Sequence, residues 1–179
     1  ANRRVYMDHN ATTPVEPRVL QAMLPYFSEM YGNAASQTHE FGSEAREAVE
    51  MAREKIAAAL GALPAEIIFT SGGTESDNIA LKGALAATPD RKHIITDAVE
   101  HKAILDTAER LRKDGAEITV LPVDGTGRVD PSAVASAIRD DTLLVSIMAA
   151  NNEVGTLNPI ADIGWAIKDK NPNVYFHTD

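Results

Sequence analysis

Two glycines and a threonine form the first candidate binding site in this sequence. Gly72 and Gly73 follow the apolar run of residues 66–70, and Thr74 opens an amphipathic stretch. Glycines let a backbone approach an anion closely, free amides at a helix start attract it, and the Thr74 hydroxyl can bond a phosphate oxygen. The turn matches neither a Walker A loop nor a GxGxxG motif, which disfavours a nucleotide. An ordinary glycine turn with Thr74 capping the helix explains the same residues.

A histidine and two asparagines follow later apolar runs. His101 opens a helix after a strand, where residues of a parallel sheet face the ligand crevice. Its imidazole could stack on a flat aromatic cofactor and move protons, although a solvent-facing histidine is the simpler interpretation. Asn151 and Asn152 follow another strand, and an amide that accepts and donates without titrating suits the orientation of a phenolic oxygen. An Asn-rich turn closed by Gly155 fits these residues equally well.

A carboxylate stands at the end of the last apolar run. Asp179 follows a strand, with His177 two residues earlier on the same face. The carboxylate could pair with a protonated pyridine nitrogen and keep such a ring an electron sink. In a rival interpretation His177 and Asp179, joined by Glu100 and His101, bind the metal ion of a hydrolase. In a third, the chain is a non-catalytic fragment that acts through its helices.

Short apolar runs alternate with amphipathic stretches, which predicts an α/β fold with a mostly parallel sheet. The predicted strands lie at residues 66–70, 93–97, 118–122, 143–148 and 174–177. The predicted helices lie at residues 17–30, 43–60, 74–86, 102–113, 131–139 and 160–170, with Ser43 capping the second. The alanines of that second helix permit close packing on a partner subunit or on its own sheet. Because parallel strands end at one edge, the candidate residues should meet along that edge.

Composition narrows the class of protein. The chain has 179 residues, 44% of them hydrophobic, which allows a sizeable core. A net charge of −9 argues against a nucleic acid or an anionic membrane as partner. With no cysteine, the chain has no disulfide, thiolate metal site or cysteine nucleophile of its own. No apolar run reaches membrane length and the first residues lack a signal-peptide core, so we expect a cytoplasmic location.

In motif order and spacing, the chain resembles the N-terminal half of a cysteine desulfurase of the NifS/IscS type. These are class V, aminotransferase-like enzymes of fold type I that use pyridoxal 5'-phosphate. The resemblance runs from end to end and rests on YMDHNATTP (residues 6–14), YGNAASQTH (31–39), FTSGGTES (69–76), EH (100–101), NNEVGT (151–156) and HTD (177–179).

The resemblance implies a role for each residue of the cofactor site. Gly73 and Thr74 would hold the phosphate, and His101 would stack on the pyridine ring and assist proton transfer. Asn152, rather than Asn151, would contact the phenolic oxygen and the substrate carboxylate. Asp179 would pair with the pyridinium nitrogen. The substrate entrance would be bordered by His9, Asn10, Ala11 and Asn33.

The resemblance also implies a reaction and its partners. The enzymes of this family take sulfur from L-cysteine, leaving alanine and an enzyme-bound persulfide that serves iron–sulfur cluster assembly or other acceptors. They act as homodimers. Residues 1–14 would form an arm belonging with a small domain, and residues 15–179 the first portion of the large cofactor-binding domain.

Three groups that this chemistry needs are not found among the 179 residues. The Schiff-base lysine, the persulfide cysteine and the arginine that binds the substrate carboxylate would lie beyond Asp179. None of the lysines present follows the strand that should face the pyridine ring, so none replaces the first of these. A buried strand normally continues into a loop and helix, so we expect the polypeptide to continue past Asp179.

Overall fold

The structure, a computed structural model, describes residues 4–179. It divides into two compact units, the first reaching to Phe69 and the second running from Thr70 to Asp179. The predicted arm of residues 1–14 and domain of residues 15–179 stay predictions, and the first three residues of that arm lie outside the described part. Within residues 4–179, no helix combines the length and apolar character needed to cross a bilayer.

The first unit is helical. Its elements are α1 (Pro17–Met23), α2 (Pro25–Ser28), α3 (Glu40–Leu60) and a 3₁₀ helix (Pro64–Glu66). The prediction of one helix over residues 17–30 is wrong, because α1 ends at Met23 and a new short helix begins at Pro25. Proline has no backbone N–H and its ring clashes with the preceding turn, so it begins helices and interrupts them.

Helix α3 begins three residues before the predicted start, and Ser43 is not its cap. The Nδ1 atom of His39 accepts a hydrogen bond from the backbone N–H of Gly42 at 3.2 Å and caps the helix instead. A Cβ on Gly42 would lie 2.3 Å from the carbonyl oxygen of Ser36, so this close approach requires glycine. The helix ends at Gly61, whose φ of 68° is the left-handed conformation common after a helix.

The strand predicted at residues 66–70 does not form. Glu66 belongs to the 3₁₀ helix, and Ile67 has an extended backbone that pairs with no other segment of residues 4–179. A strand is defined by its partner, so an extended segment alone does not qualify. The segment is held by Arg53, which donates to the Ile67 carbonyl oxygen and lies 4.8 Å from the centre of the Phe69 ring.

The second unit is a four-stranded sheet flanked by helices. The strands are β1 (His93–Asp97), β2 (Glu117–Leu121), β3 (Thr142–Ser146) and β4 (Tyr175–His177). All pair in parallel in the order β2-β1-β3-β4, which confirms the predicted mostly parallel sheet. The helices are α4 (Gly73–Ala87), α5 (Lys102–Lys113), α6 (Pro131–Ala137) and α7 (Ile160–Lys170).

Apolar side chains cover both faces of this sheet. On β1, Ile94 packs in a cluster with Leu81 of α4 and Ile104 of α5, while the next residue, Ile95, packs in a cluster with Ile163 of α7. Alternate residues of a strand point to opposite faces, so one strand serves both layers of helices. The central strands β1 and β3 are buried along their whole length.

The strand order fixes where a ligand can bind. From β1 the chain crosses to β2 on one side and then returns to β3 on the other side of β1. Such a reversal opens a crevice outside the carboxyl ends of the two strands where it occurs. The segments that follow β1 and β3 carry His101 and Asn152, and both therefore belong to this crevice.

Candidate functional site

A cleft of about 390 Å³ lies at the strand reversal. It is formed by the segments that follow β1 and β3, and these two strands are neighbours in the sheet. Its lining residues are Val99, Glu100, His101, Lys102, Leu105, Asn151, Asn152, Glu153 and Val154. The structure therefore brings His101 together with the two asparagines, as expected from their positions after successive strands.

Helix α4 opens without a side-chain cap. The carbonyl oxygen of Gly72 accepts the N–H groups of Glu75 at 3.1 Å and of Ser76 at 3.2 Å. Within the described part of the chain, the N–H groups of Gly73 and Thr74 donate to no acceptor, and the exposed Thr74 hydroxyl has no partner. Thr74 is not the cap of α4, and two amides and a hydroxyl stay available at a positive helix end.

Neighbouring side chains hold this turn without using those amides. The Glu75 carboxylate accepts hydrogen bonds from the N–H of Ser71 at 2.6 Å and from its hydroxyl at 2.7 Å. These two bonds lower the pKa of the Glu75 carboxyl. A Cβ on Gly72 or Gly73 would meet no other protein atom within 4 Å, so packing within the protein does not require either glycine.

His101 caps α5 and has a fixed tautomer when neutral. Its Nδ1 atom accepts a hydrogen bond from the N–H of Ala103 at 3.1 Å. The proton of the neutral ring is therefore on Nε2. The side chain is exposed at the cleft, so Nε2 and the ring faces are available to a ligand. The histidine therefore lies at a helix start, as the simpler interpretation expected, and also lines the crevice, as the cofactor interpretation expected.

The two adjacent asparagines have different surroundings. The Oδ1 atom of the buried Asn151 accepts the N–H groups of Glu153 at 2.9 Å and Val154 at 3.0 Å, and its Nδ2 donates to the Val99 carbonyl oxygen at 3.0 Å. Asn151 therefore builds the loop. The side chain of Asn152 is exposed and has no hydrogen bond to any of residues 4–179. Of the pair, only Asn152 can offer its amide to a ligand.

Asp179 extends the sheet edge beyond the end of β4. The N–H of Ala149 donates to the Asp179 carbonyl oxygen at 3.3 Å, so the pairing of β3 and β4 continues to this residue. Its carboxylate lies near two buried acids. Burial, and then the negative charge of Asp179, raise the pKa of Asp77. Burial, Asp97 and then Asp179 raise the pKa of Glu100 to about 8.

Two buried acids near the site, Asp77 and Asp97, were not among the residues predicted from the sequence, and Glu100 was predicted only as a metal ligand. Asp77 is 3% exposed, Asp97 is fully buried and Glu100 is 5% exposed. A signal existed for Asp77, because it stands three residues after Thr74 and therefore on the same face of α4. For Asp97 and Glu100 the signal was their position at the end of a central strand, since Asp97 is the last residue of β1 and Glu100 follows three residues later.

The residues predicted at the substrate entrance lie in the first unit. The Nδ1 atom of His9 is 3.1 Å from the Thr13 hydroxyl, and its ring meets the Tyr6 ring edge-on at 4.9 Å. Asn33 accepts the N–H of Ala35 at 2.9 Å through its side chain. His9, Asn10, Ala11 and Asn33 are all exposed. Their role at a substrate entrance stays a prediction.

The metal-hydrolase hypothesis finds no support. Among the residues described, no group of three or more histidine, cysteine, aspartate or glutamate side chains is arranged to hold a metal ion. His177 contacts Ser146 and Asp77 instead of converging with Asp179 on a common point.

Comparison with known proteins shows extensive similarity. The family model described as aminotransferase class-V matches residues 5–179. Cysteine desulfurase IscS of Methanosarcina thermophila is 53% identical over 179 residues, covering 99% of this chain and 44% of that protein. Cysteine desulfurase IscS of Anaeromyxobacter sp. (strain K) is 53% identical over 176 residues, covering 98% of this chain and 43% of that protein.

Solved structures of similar proteins also superpose closely on this chain. A structure described as a NifS-like protein superposes with a TM-score of 0.94 at 45% identity, covering 99% of this chain and 48% of the other. One described as SspA in complex with cysteine superposes with a TM-score of 0.90 at 39% identity, covering 97% of this chain and 50% of the other. The chain thus spans less than half the length of the curated relatives and about half of these solved chains.

Proposed function

The chain belongs to the class-V aminotransferase family, and we propose that it supplies most of the pyridoxal-phosphate pocket of a cysteine desulfurase. Its α/β fold is that of the fold type I enzymes in this family, and pyridoxal phosphate is the family's cofactor. The observation that carries the proposal is that His101, Asn152 and Asp179 follow three neighbouring strands at the reversal of the strand order.

The donors and acceptors at the sheet edge fit this cofactor. The unpaired amides of Gly73 and Thr74, with the free Thr74 hydroxyl, suit a phosphate group. Asp179 offers the carboxylate that a pyridinium nitrogen requires, and His101 offers a flat ring of fixed tautomer. Asn152 offers an amide that can orient a phenolic oxygen. When bound, the cofactor would supply an electron-withdrawing ring that stabilises negative charge on the substrate.

The residues of this chain would bind the cofactor and orient its phosphate and its ring. The 15-residue helix α4 would present its positive end to the phosphate, and the Thr74 hydroxyl would add a hydrogen bond. Asp179 would hold a proton on the ring nitrogen by pairing its negative charge with it. Glu100, with its pKa raised to about 8, is protonated at neutral pH and adds no competing negative charge beside that pair.

His101 is suited to move a proton at one defined atom. Its Nδ1 is engaged by the N–H of Ala103, so the Nε2 atom is the one that exchanges a proton with the substrate. An imidazole can both accept a proton and donate one, so this atom can serve the reaction in either direction. Asn152 would at the same time hold the substrate carboxylate, which fixes the substrate against the imidazole.

The complete reaction is the removal of sulfur from L-cysteine, giving alanine and an enzyme persulfide. The related structure described as a complex with cysteine supports this substrate class. The chain has no cysteine, so the persulfide would form on a residue outside it, and the covalent lysine and the carboxylate-binding arginine are expected there too. We propose an iron–sulfur scaffold or another sulfur carrier as the acceptor.

We further propose that the protein is a cytoplasmic homodimer. The supporting observation is the set of exposed apolar side chains on one side of α3, among them Val49, Ile56 and Leu60. Light scattering of the purified protein would test the dimer, and cell fractionation would test the location. A monomer at micromolar concentration would contradict the first of these proposals.

One experiment tests the central proposal. The complete protein is mixed with pyridoxal phosphate, and the visible absorption spectrum is recorded before and after addition of L-cysteine. A bound yellow chromophore, together with equal release of alanine and sulfide under reducing conditions, is the expected result. A protein that stays colourless, or that binds the cofactor without releasing alanine, would contradict the assignment.

A further inference from the structure

His177 connects three elements of the second unit. The residue belongs to β4, and its side chain is only 18% exposed. Its Nδ1 atom lies 3.0 Å from the hydroxyl of Ser146, on β3, and its Nε2 atom lies 3.7 Å from Oδ1 of Asp77, on α4. One imidazole therefore contacts the neighbouring strand and a helix on the face of the sheet at the same time.

The two ends of this contact are close in sequence to the two ends of the proposed cofactor site. Asp77 stands three residues after Thr74, at the start of α4, and its side chain is 4% exposed. His177 stands two residues before Asp179 on the same side of the strand. The contact between Asp77 and His177 therefore joins the segment that carries the proposed phosphate-binding turn to the segment that carries Asp179, whose carboxylate would pair with the ring nitrogen.

We propose that His177 is a positioning residue that holds the start of α4 and the end of β4 at a fixed separation, so that Thr74 and Asp179 can bind one cofactor molecule together. The inference rests on the proposed function and deepens it, because it concerns how the same site is kept in shape. His177 would act through Asp77 and Ser146 rather than by touching the cofactor.

The charges around the imidazole favour a stable contact. Burial lowers the pKa of His177, while the carboxylates of Asp77 and Asp179 oppose that effect. Burial and the charge of Asp179 raise the pKa of Asp77, while His177 and His101 oppose the rise. Each buried group thus resists carrying a charge alone, and each lies close enough to the other for opposite charges to offset part of that cost.

The apolar core does not need this contact. Leu81 of α4 packs in a fully buried cluster with Ile94 of β1 and Leu144 of β3, which already holds the helix on the sheet. Because these apolar contacts lie further along α4, they fix the helix axis and leave its first turn to be fixed by polar groups. A variant at position 177 is therefore expected to fold and to lose alignment at the site.

The test compares His177→Leu and His177→Gln in the complete protein. Leucine removes both contacts, whereas a glutamine amide can still reach two polar partners. His177→Leu is expected to raise the dissociation constant of pyridoxal phosphate about tenfold, the size of one lost hydrogen bond such as the one between His177 and Ser146. It should also change the ³¹P NMR shift of the bound phosphate, and His177→Gln should restore both measurements most of the way.

A matched control is available at the other end of the sheet. His93 is also buried, and its ring bonds the hydroxyls of Thr142 and Thr119 at 2.8 Å each. Since His93 is the first residue of β1, it lies at the edge opposite the site. His93→Gln is expected to lower the thermal stability while leaving the cofactor affinity and the phosphorus signal unchanged.

Several outcomes would overturn the inference. Wild-type affinity and an unchanged phosphorus signal in His177→Leu would do so, as would the same losses in His93→Gln. If His177→Leu does not fold, Ser146→Ala replaces it as the test, because this variant removes only the hydroxyl that contacts His177. Ser146→Ala is expected to shift the phosphorus signal in the same direction by a smaller amount, and an unchanged signal would overturn the inference. If the wild-type protein binds no pyridoxal phosphate, the proposed function itself fails, which separates the two cases.

Discussion

The carboxyl groups of Asp97 and Glu100 lie buried near each other at the end of β1, and the Oδ2 and Oε2 atoms have no hydrogen-bond partner among residues 4–179. Asp97 keeps one bond, from the N–H of Val99 at 2.8 Å to its Oδ1. Two buried acids this close do not both ionise at neutral pH, and Glu100 is the one that keeps its proton. This places a neutral acid directly before His101.

Replacing Glu100 with glutamine should therefore change how stability depends on pH. The pKa of Glu100 is raised from 4.5 to about 8, so the folded state binds the proton more tightly than the unfolded chain. The stabilisation is complete below pH 4.5 and is lost as the pH rises toward 8. Glu100→Gln should match the wild type in acid and exceed its unfolding free energy by up to a few kcal/mol in mild base.

Urea denaturation at several pH values measures this difference. The control is Glu153→Gln, an exposed acid of the loop after β3, which should show no such trend. A pH-independent difference between Glu100→Gln and the wild type would contradict the buried neutral acid.

Asp179→Asn should remove the charge that we propose pairs with the ring nitrogen, while keeping the size of the side chain. We expect cysteine turnover to fall on the order of 100-fold, the range seen when one electrostatic partner of a reacting group is lost. The absorption maximum of the bound cofactor should shift as well. Asp169→Asn, on the exposed side of α7, is the control, and equal effects of the two substitutions would refute the assigned role.

Thr74→Val tests the proposed binding of the cofactor phosphate by the turn at residues 72–74. Valine has the shape of threonine without its hydroxyl, so the dissociation constant of pyridoxal phosphate should rise about tenfold with little change in stability. Thr88→Val, just after the other end of α4, should leave the affinity unchanged. Equilibrium titration by fluorescence measures both, and an unaltered Thr74→Val affinity would mean that the hydroxyl does not bind the phosphate.

Asn151→Ala and Asn152→Ala should separate structure from function at adjacent positions. The first removes three hydrogen bonds that build the loop and should lower the unfolding free energy by about 1–3 kcal/mol. The second should leave stability intact and raise KM for cysteine. Thermal unfolding and steady-state kinetics distinguish them, and the reverse pattern would assign the ligand contact to Asn151.

The sequence predicted elements well where a strong pattern coincided with local contacts. The helices at residues 102–113 and 160–170 and the strand at residues 93–97 have the predicted bounds, because their apolar spacing and their start signals agree. The prediction of a strand at residues 66–70 was wrong. Its apolar pattern is real, but strand formation depends on a partner segment, which local sequence does not reveal.

The candidate site was predictable to the level of the sheet edge. Strand ends located His101, Asn152 and Asp179, since the geometry of a parallel sheet does not depend on side-chain detail. The contact between His177 and Asp77 was not predictable from the sequence. It depends on which face of α4 packs on the sheet and on how deeply an acid is buried, and both are properties of the folded core.

The capping bond of His101 couples two properties that mutational scans usually treat as independent. An alanine at this position would remove the imidazole and also release the first turn of α5, at a cost of about 1 kcal/mol. Asparagine caps a helix as well as any residue and has no aromatic ring. A substitution series at residue 101 therefore separates lost chemistry from a frayed helix only if it includes asparagine beside alanine.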